Sequence, residues 1–418
     1  MKKLVALLLA LTLCIGLCAC GATAEKPAEE NPATTGETET PATAAKDIKV
    51  GFIFLHDENS TYDLNFINGA KEAIANLGLT EDDYILKTNV PEGQECYETA
   101  CDLVDSGCNI IFADSFGHEP YMIDAAKKYP DVQFCHSTGT RAHTEGLANY
   151  HNAFASIYEG RYLAGIAAGM KLNEMIEAGE FTADEAKMGY VGAFTYAEVI
   201  SGYTSFYLGA KSVCPTVTMD VTFTGSWYDE ALEKEGAQKL IDGGCKLISQ
   251  HADSLGAPTA CENAKIPKVS YNGSTKSAAP NTYIISSRIN WAPYYEYAIK
   301  AVMDGTAIDT DWTGTLATGS VVLTELNEDV AAEGTADAIK AAQEKLEKGE
   351  IHVYDCNNFT VKGAPLSVDH MADVDTDEAY TPDTKVVKDG YFAESEFRSA
   401  PYFDLEIDGI TRLDVNFG

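Results

Sequence analysis

The chain has 418 residues, with 64 Asp and Glu against 30 Lys and Arg and a formal net charge of −34. A surface of that sign repels phosphate backbones, which excludes nucleic acid as a partner. The length beyond the leader is too great for one core and predicts two lobes.

Lys2 and Lys3 open the chain, and residues 4–19 (LVALLLALTLCIGLCA) are almost wholly apolar. That run suits a signal-peptide core and is short for a membrane span, which needs about 20 residues. It ends in Leu17-Cys18-Ala19-Cys20-Gly21, which is similar to a bacterial lipobox with Cys20 as the lipidated residue. Residues 21–46 are mostly Ala, Thr, Glu and Pro without a large apolar side chain, so nothing there offsets the entropy of ordering. The expectation is a signal peptide at 1–19, a lipidated Cys20 with a disordered tether over 20–46, and a globular body moored to the outer face of the cell membrane. Eight cysteines follow Cys20, none in a CxxC pair, and they read as small buried hydrophobes.

From residue 48 the chain alternates short apolar runs with amphipathic segments. Strands are predicted at 48–55, 84–90, 109–113 and 132–136, with helices at 64–77, 94–106 and 120–129. A second series follows, with strands at 188–193, 217–223, 246–250 and 268–271 and helices at 198–212, 228–242 and 255–263. A long helix over 154–177 stands between the two series. A strand at 283–288, helices at 291–304 and 331–348, and a strand near 353–354 come after them. Strands alternating with helices of this length form right-handed crossovers and a parallel sheet. The expected lobes are 47–153 with 280–324 and 154–279 with 325–366, exchanging segments through a multi-crossover hinge. Residues 367–418 form an extension packed on a lobe, in which 394–410 (ESEFRSAPYFDLEIDGI) alternates as a strand does.

Ligands of parallel sheets collect at the C-terminal ends of the strands. Seven such turns here carry aromatic rings or short polar side chains: HDENSTY, DSFGH, HSTG, FTY, TGSW, QHADS and YNG. That pattern suits a cleft for a small, flat, polar molecule.

The blocks EGRYLAG (159–165), MGYVGA (188–193), GAKSVCP (209–215), TGSWYD (224–229), SQHADS (249–254) and NWAPYY (290–295) resemble, in order and spacing, the basic membrane protein family. These are substrate-binding lipoproteins of ABC importers, among them purine nucleoside receptors and purine-base binders. The resemblance implies an α/β chain of the type I periplasmic-binding-protein fold, with two doubly wound parallel-sheet lobes. It implies a purine nucleoside or nucleobase as ligand, an ABC permease and ATPase complex as partner, and no cofactor, metal or catalysis. In related purine-base binders the first loop is glycine-rich and ends in a tryptophan. Here HDENSTYDLNF is about one residue shorter and puts Tyr62 in that place.

Tyr62, Phe194 and Trp227 are the candidates for stacking on a ring, each gaining roughly 1–3 kcal/mol. Asp114, Asp253 and Asn65 are candidates for hydrogen bonds to a ring edge or sugar, with helix capping as the alternative for both aspartates. Ser115 and Gly117 offer backbone N–H groups. His251 and His136 read as hydrogen-bonded cleft or hinge residues, and His251 and Tyr271 complete the candidate set. Neither histidine has metal spacing. The chain has no GxSxG elbow, no HExxH and no P-loop lysine. The expected function is an extracytoplasmic solute-binding protein, with a membrane-tethered sensor or a hydrolase of nucleosides or sugars as the alternative.

Overall fold

The computed structural model describes residues 48–374 and 382–414; the leader, Cys20 and tether expected over 1–46 lie outside them. The first series runs β1 (Val50–Ile53), α1 (Thr61–Asn76), β2 (Tyr84–Lys87), α2 (Gln94–Asp105), β3 (Ile110–Ala113), α3 (Glu119–Lys128), β4 (Gln133–Ser137), α4 (Ala142–Glu145) and β5 (Tyr150–Ala155). The second runs α5 (Ile157–Glu177), β6 (Lys187–Gly192), α6 (Ala197–Val213), β7 (Thr218–Phe223), α7 (Glu230–Asp242), β8 (Leu247–His251), α8 (Gly256–Ala264), β9 (Lys268–Tyr271) and β10 (Tyr283–Ile289). Then come α9 (Ala292–Asp304), β11 (Asp311–Gly314), β12 (Val321–Leu323) and α10 (Thr335–Glu347). Two hairpins of two-residue strands, β13 (Met371–Ala372) with β14 (Thr384–Lys385) and β15 (Val387–Lys388) with β16 (Tyr391–Phe392), precede β17 (Ile410–Arg412).

These strands build two sheets, in the orders β11-β5-β4-β3-β1-β2 and β12-β10-β9-β8-β6-β7-β17. Pairing is parallel throughout except for β12 against β10. The central strands β1 (VGFI) and β3 (IIFA) are buried along their whole length, as continuous apolar runs covered on both faces should be. Helices α5 and α6 lie back to back in the second lobe. A Cβ on Gly165 would sit 2.1 Å from the Phe206 carbonyl oxygen, and one on Gly209 would sit 2.0 Å from that of Tyr162. Gly165, the last residue of EGRYLAG, and Gly209, the first of GAKSVCP, therefore serve this close approach.

The chain passes between sheets after β5, after β10 and after β11, so three segments form the hinge. They are bonded to one another: Ser156 N–H donates to the Gly314 carbonyl at 2.8 Å and Asn290 N–H to that of Ser320 at 2.7 Å. The predicted lobe boundary needs correction. Strands β10 and β12 lie in the second sheet, and only α9, packed on α1, and β11 return to the first lobe. The helix expected from 154 begins at Ile157, because Phe154 and Ala155 end an unforeseen strand, β5. Residues 353–354 form a turn, not a strand.

The extension is mostly irregular. Of 394–410, expected as a strand, only its last residue is in one, β17, which adds to the edge of the second sheet beside β7. Tyr354 stacks on Phe403 with centroids 4.3 Å apart, and its hydroxyl donates to the Ser201 carbonyl of α6 at 2.8 Å. Among the described residues no helix is long and apolar enough to cross a membrane.

Candidate ligand-binding cleft

The strand ends of the two lobes face one another across a narrow slot of about 370 Å³, open solvent included. Leu55 and His56 after β1, Tyr62 and Asp63 on α1, Ser115 and Phe116 after β3, and Thr138 after β4 supply one side. Glu198 on α6, Trp227 after β7, His251 and Asp253 at the end of β8, and Asn272 after β9 supply the other. The lobes touch around it. Thr61 N–H donates to the Asp253 carbonyl at 3.1 Å, and Phe116 lies 5.1 Å from the Tyr196 ring.

Ser60 caps α1, accepting the Asp63 N–H at 3.2 Å and donating its hydroxyl to the Asp63 carboxylate at 2.6 Å. Asp63 also accepts the His56 N–H at 2.7 Å. Burial works against its charge, but the bonds from His56 and Ser60 hold the carboxyl below its ordinary range. One turn of this braced helix carries Tyr62 into the slot. Its hydroxyl donates to the Asp114 carbonyl at 2.6 Å and its ring leans on Phe66 at 4.7 Å. Tyr62 is thus held by groups of the protein itself.

On the other side the Asp253 N–H donates to the Trp227 carbonyl at 2.9 Å, which places both side chains together. The Asp253 carboxyl is nearly buried and accepts from Asn272 Nδ2 at 3.2 Å. Burial raises it well above the carboxylate range, and the charges of Glu233, Asp63 and Glu198 push the same way. His251 lies between Glu198, 3.4 Å from Nε2, and the Tyr190 hydroxyl, 3.5 Å from Nδ1. Burial lowers its pKa against the pull of Glu198, so the ring is neutral near pH 7. Thr138 and Asn272 both have left-handed backbones, with φ of +75° and +65°. For the β-branched Thr138 this is a strained conformation of the kind that clusters at ligand sites. The cleft thus brings together aromatic faces, carboxyl groups and a neutral imidazole.

Of the predicted residues, Tyr62, Ser115, Trp227, His251 and Asp253 line the slot. Phe194 stands behind Trp227, 5.0 Å away at 65°, and supports it. Tyr271 is fully buried beneath His251, 4.4 Å from it, and over Arg161. Arg161 of EGRYLAG, itself buried, donates to the Ser270 carbonyl, the Tyr190 hydroxyl and Ser249 Oγ under the cleft floor. Phe194 and Tyr271 thus lie off the slot, and three further predicted roles change. Asn65 is a hinge clasp: its amide donates to the Ile289 carbonyl and its oxygen accepts from Arg288 at 3.3 Å. Asp114 is fully buried, takes the Leu55 N–H at 3.2 Å, and caps no helix. Gly117 turns its N–H to Glu92 at 2.8 Å, away from the slot, and a Cβ there would meet Glu92 at 2.6 Å. His136 is buried and donates Nε2–H to the Ser115 carbonyl at 2.6 Å, bracing that loop. Asp253 is not a cap either, since Ser254 Oγ accepts the Gly256 N–H. Sequence reasoning missed Glu198, Thr138, Asn272, His56, Asp63 and Phe116. Glu198 had a readable signal, an acidic residue in the first turn of a helix that opens just past a strand end.

The Bmp family model, described as "ABC transporter substrate-binding protein PnrA-like", matches residues 52–356. A purine-binding protein of Brucella abortus is 33% identical over 268 residues, covering 63% of this chain and 71% of that protein. A protein of Haloferax volcanii, named provisionally as an ABC transporter glucose-binding protein, is 32% identical over 247 residues, 59% of each chain. Among solved structures, a solute-binding protein of an ABC transporter system from Aeropyrum pernix superposes with a TM-score of 0.61 at 19% identity, over 73% of this chain and 92% of that one. One from Conexibacter woesei superposes with a TM-score of 0.59 at 20% identity, over 73% and 98%. The fold is therefore the type I periplasmic-binding-protein fold. Proteins of this kind are extracytoplasmic, bind small molecules and work with a permease, and they are not enzymes. With its matched blocks spanning both lobes and the cleft between them, the chain belongs to the Bmp family of ABC transporter substrate-binding proteins.

Proposed function

We propose that this protein is the lipid-anchored receptor of an ABC importer, and that it captures a purine nucleoside or nucleobase between its lobes and delivers it to the permease. The carrying observation is the pairing, in one closed slot, of the Tyr62 and Trp227 rings with the Asp253 and Glu198 carboxyls. A purine presents two flat faces and an edge of N–H donors, which match those groups. The kinship with a protein named as purine-binding supports the same class. In this reading Tyr62 and Trp227 hold the ring, Asp253, Glu198 and His251 bond its edge, and Cys20 bears the acyl chains.

A second reading, a sugar, is favoured by the relative named provisionally for glucose and by the many acceptors around the slot. A thermal-shift panel of nucleobases, nucleosides and hexoses separates the two. Ligand at 100 times Kd adds about 2.7 kcal/mol to stability. Shifts with purine compounds alone support the proposal, and shifts with hexoses alone overturn it. The anchor is tested by Cys20→Ser, which should release the protein from the membrane fraction.

A further inference from the structure

Beyond residue 356, where the family match ends, the extension returns to the mouth of the cleft. An outer chamber, partly open to solvent and of about 510 Å³ with that solvent included, adjoins the inner slot and shares Phe116, Thr138 and Glu198 with it. Its remaining wall includes Arg398, Ala400 and Pro401 from the extension. That turn is built rigidly. The Arg398 guanidinium is buried and donates to the carbonyls of Val374, of Ala400 at 3.1 Å and of Pro401 at 2.9 Å. The extension is rooted in the second lobe by β17, by the Tyr354–Phe403 stack and by the Tyr158 hydroxyl, which donates to the Glu394 carbonyl at 3.2 Å. It reaches the other lobe at Ser399, whose N–H donates to the Asp311 carboxylate on β11 at 2.7 Å. The same Asp311 oxygen also pairs with His143 Nε2 of α4 at 3.5 Å, and the second oxygen is buried without a hydrogen-bond partner, so the crossing bond joins a carboxylate held in the first lobe.

We propose that the C-terminal extension is a third wall of the ligand site: its Arg398–Pro401 turn encloses the outer chamber, which receives the part of a ligand projecting from the ring, and the Ser399–Asp311 bond latches this wall to the first lobe. The choice of probes rests on the purine reading above. The full chain and its Ala400→Leu, Thr140→Leu and Asp311→Ala variants are titrated calorimetrically with adenine and with adenosine. The two leucine variants fill the chamber from opposite walls; Thr140, a half-buried lining residue, loses its hydroxyl bond to Glu119 at 3.3 Å but keeps its N–H bonds to that carboxylate, and serves if Ala400→Leu fails to fold. Both should weaken adenosine at least about tenfold, the effect of overpacking a formed cavity, and leave adenine within about threefold. Equal loss of both ligands, or loss of neither, overturns the wall. If the wild type binds neither compound, the purine reading falls and amide hydrogen exchange decides the wall by itself. Asp311→Ala should then accelerate exchange at Ser399 and its neighbours at least about tenfold while β8 stays protected. Unchanged protection at Ser399 overturns the proposal.

Discussion

Asp253→Asn separates ligand recognition from structure, because backbone and side chain of this residue do different things. Its N–H binds the Trp227 carbonyl and its carbonyl takes the Thr61 N–H across the cleft, and neither changes in the variant. The side chain keeps its size and its bond to Asn272 Nδ2, but its other oxygen becomes an NH2 donor that faces the donors of the ligand. A buried donor left without an acceptor costs about 1–3 kcal/mol. Affinity for the purine ligand should therefore fall roughly 5- to 150-fold. Stability should move the other way. Burial holds the Asp253 carboxyl well above its unfolded value, so its contribution is most favourable below about pH 4 and erodes as pH rises through the folded value. The amide has no such erosion. The ligand-free variant should thus melt at or above the wild-type temperature at pH 7, with the gap closing towards pH 4. Titration calorimetry and melting curves at several pH values test both limbs. A variant that binds purine within about twofold of wild type, or whose melting temperature falls in step with its affinity, refutes the reasoning.

Gly165→Ala should destabilise the protein by about 3 kcal/mol or more, measured by denaturant unfolding, because its methyl group would meet the Phe206 carbonyl oxygen at 2.1 Å. Glu233 is fully buried, and burial pushes its carboxyl up to about 7 against the Ser254 and Asp229 N–H bonds that pull it down. Its folded value exceeds the unfolded one, so its share of stability is whole below about pH 4.5 and is lost, by up to about 3 kcal/mol, as pH rises to about 7 and beyond. Glu233→Gln keeps an acceptor for Ser254, and should flatten the fall in unfolding free energy over that window. Asn65→Ala, which cuts the hinge clasp to Ile289 and Arg288, should cost about 1–3 kcal/mol in unfolding free energy at pH 7.

The parallel strands were legible because burial on both faces writes a continuous apolar run, as in IIFA of β3. The missed strands lacked that signature. β5 (YHNAFA) buries His151 and Asn152 within its length, and β11 (DWTG) is a short edge strand paired to β5 across about half the body. Such pairings depend on residues far away in sequence, which local pattern does not encode. The lobe boundary failed for the same reason: β10 reads as a strand, but nothing in TYIISSR says which sheet it joins. At the cleft the strand-end rule found the right turns but could not always say which residue in each turn faces the ligand. In Tyr271-Asn272-Gly273 the aromatic residue drew attention, yet the strand ends at Tyr271 and the backbone turns left-handed at Asn272. Tyr271 goes under the floor and Asn272 into the slot. Asn65 was misread because its partners, Ile289 and Arg288, are 224 and 223 residues away.

The electrostatics of the cleft also say what kind of molecule closes it. Asp63 stands on one lobe and Asp253 and Glu198 on the other, and their charges act on one another across the gap, raising Asp253. Bringing the lobes together therefore brings like charges together in a water-poor space, where their repulsion is stronger than in solvent. The interlobe bonds from Thr61 and the Phe116–Tyr196 contact oppose that repulsion but neutralise none of it. A ligand edge carrying N–H donors does, by placing partial positive charge between the carboxyls. A ligand that brought only acceptors would add to the repulsion. On the purine reading, ring N–H donors between these groups relieve the repulsion that otherwise raises the Asp253 carboxyl, a reason independent of shape for a donor-bearing ligand.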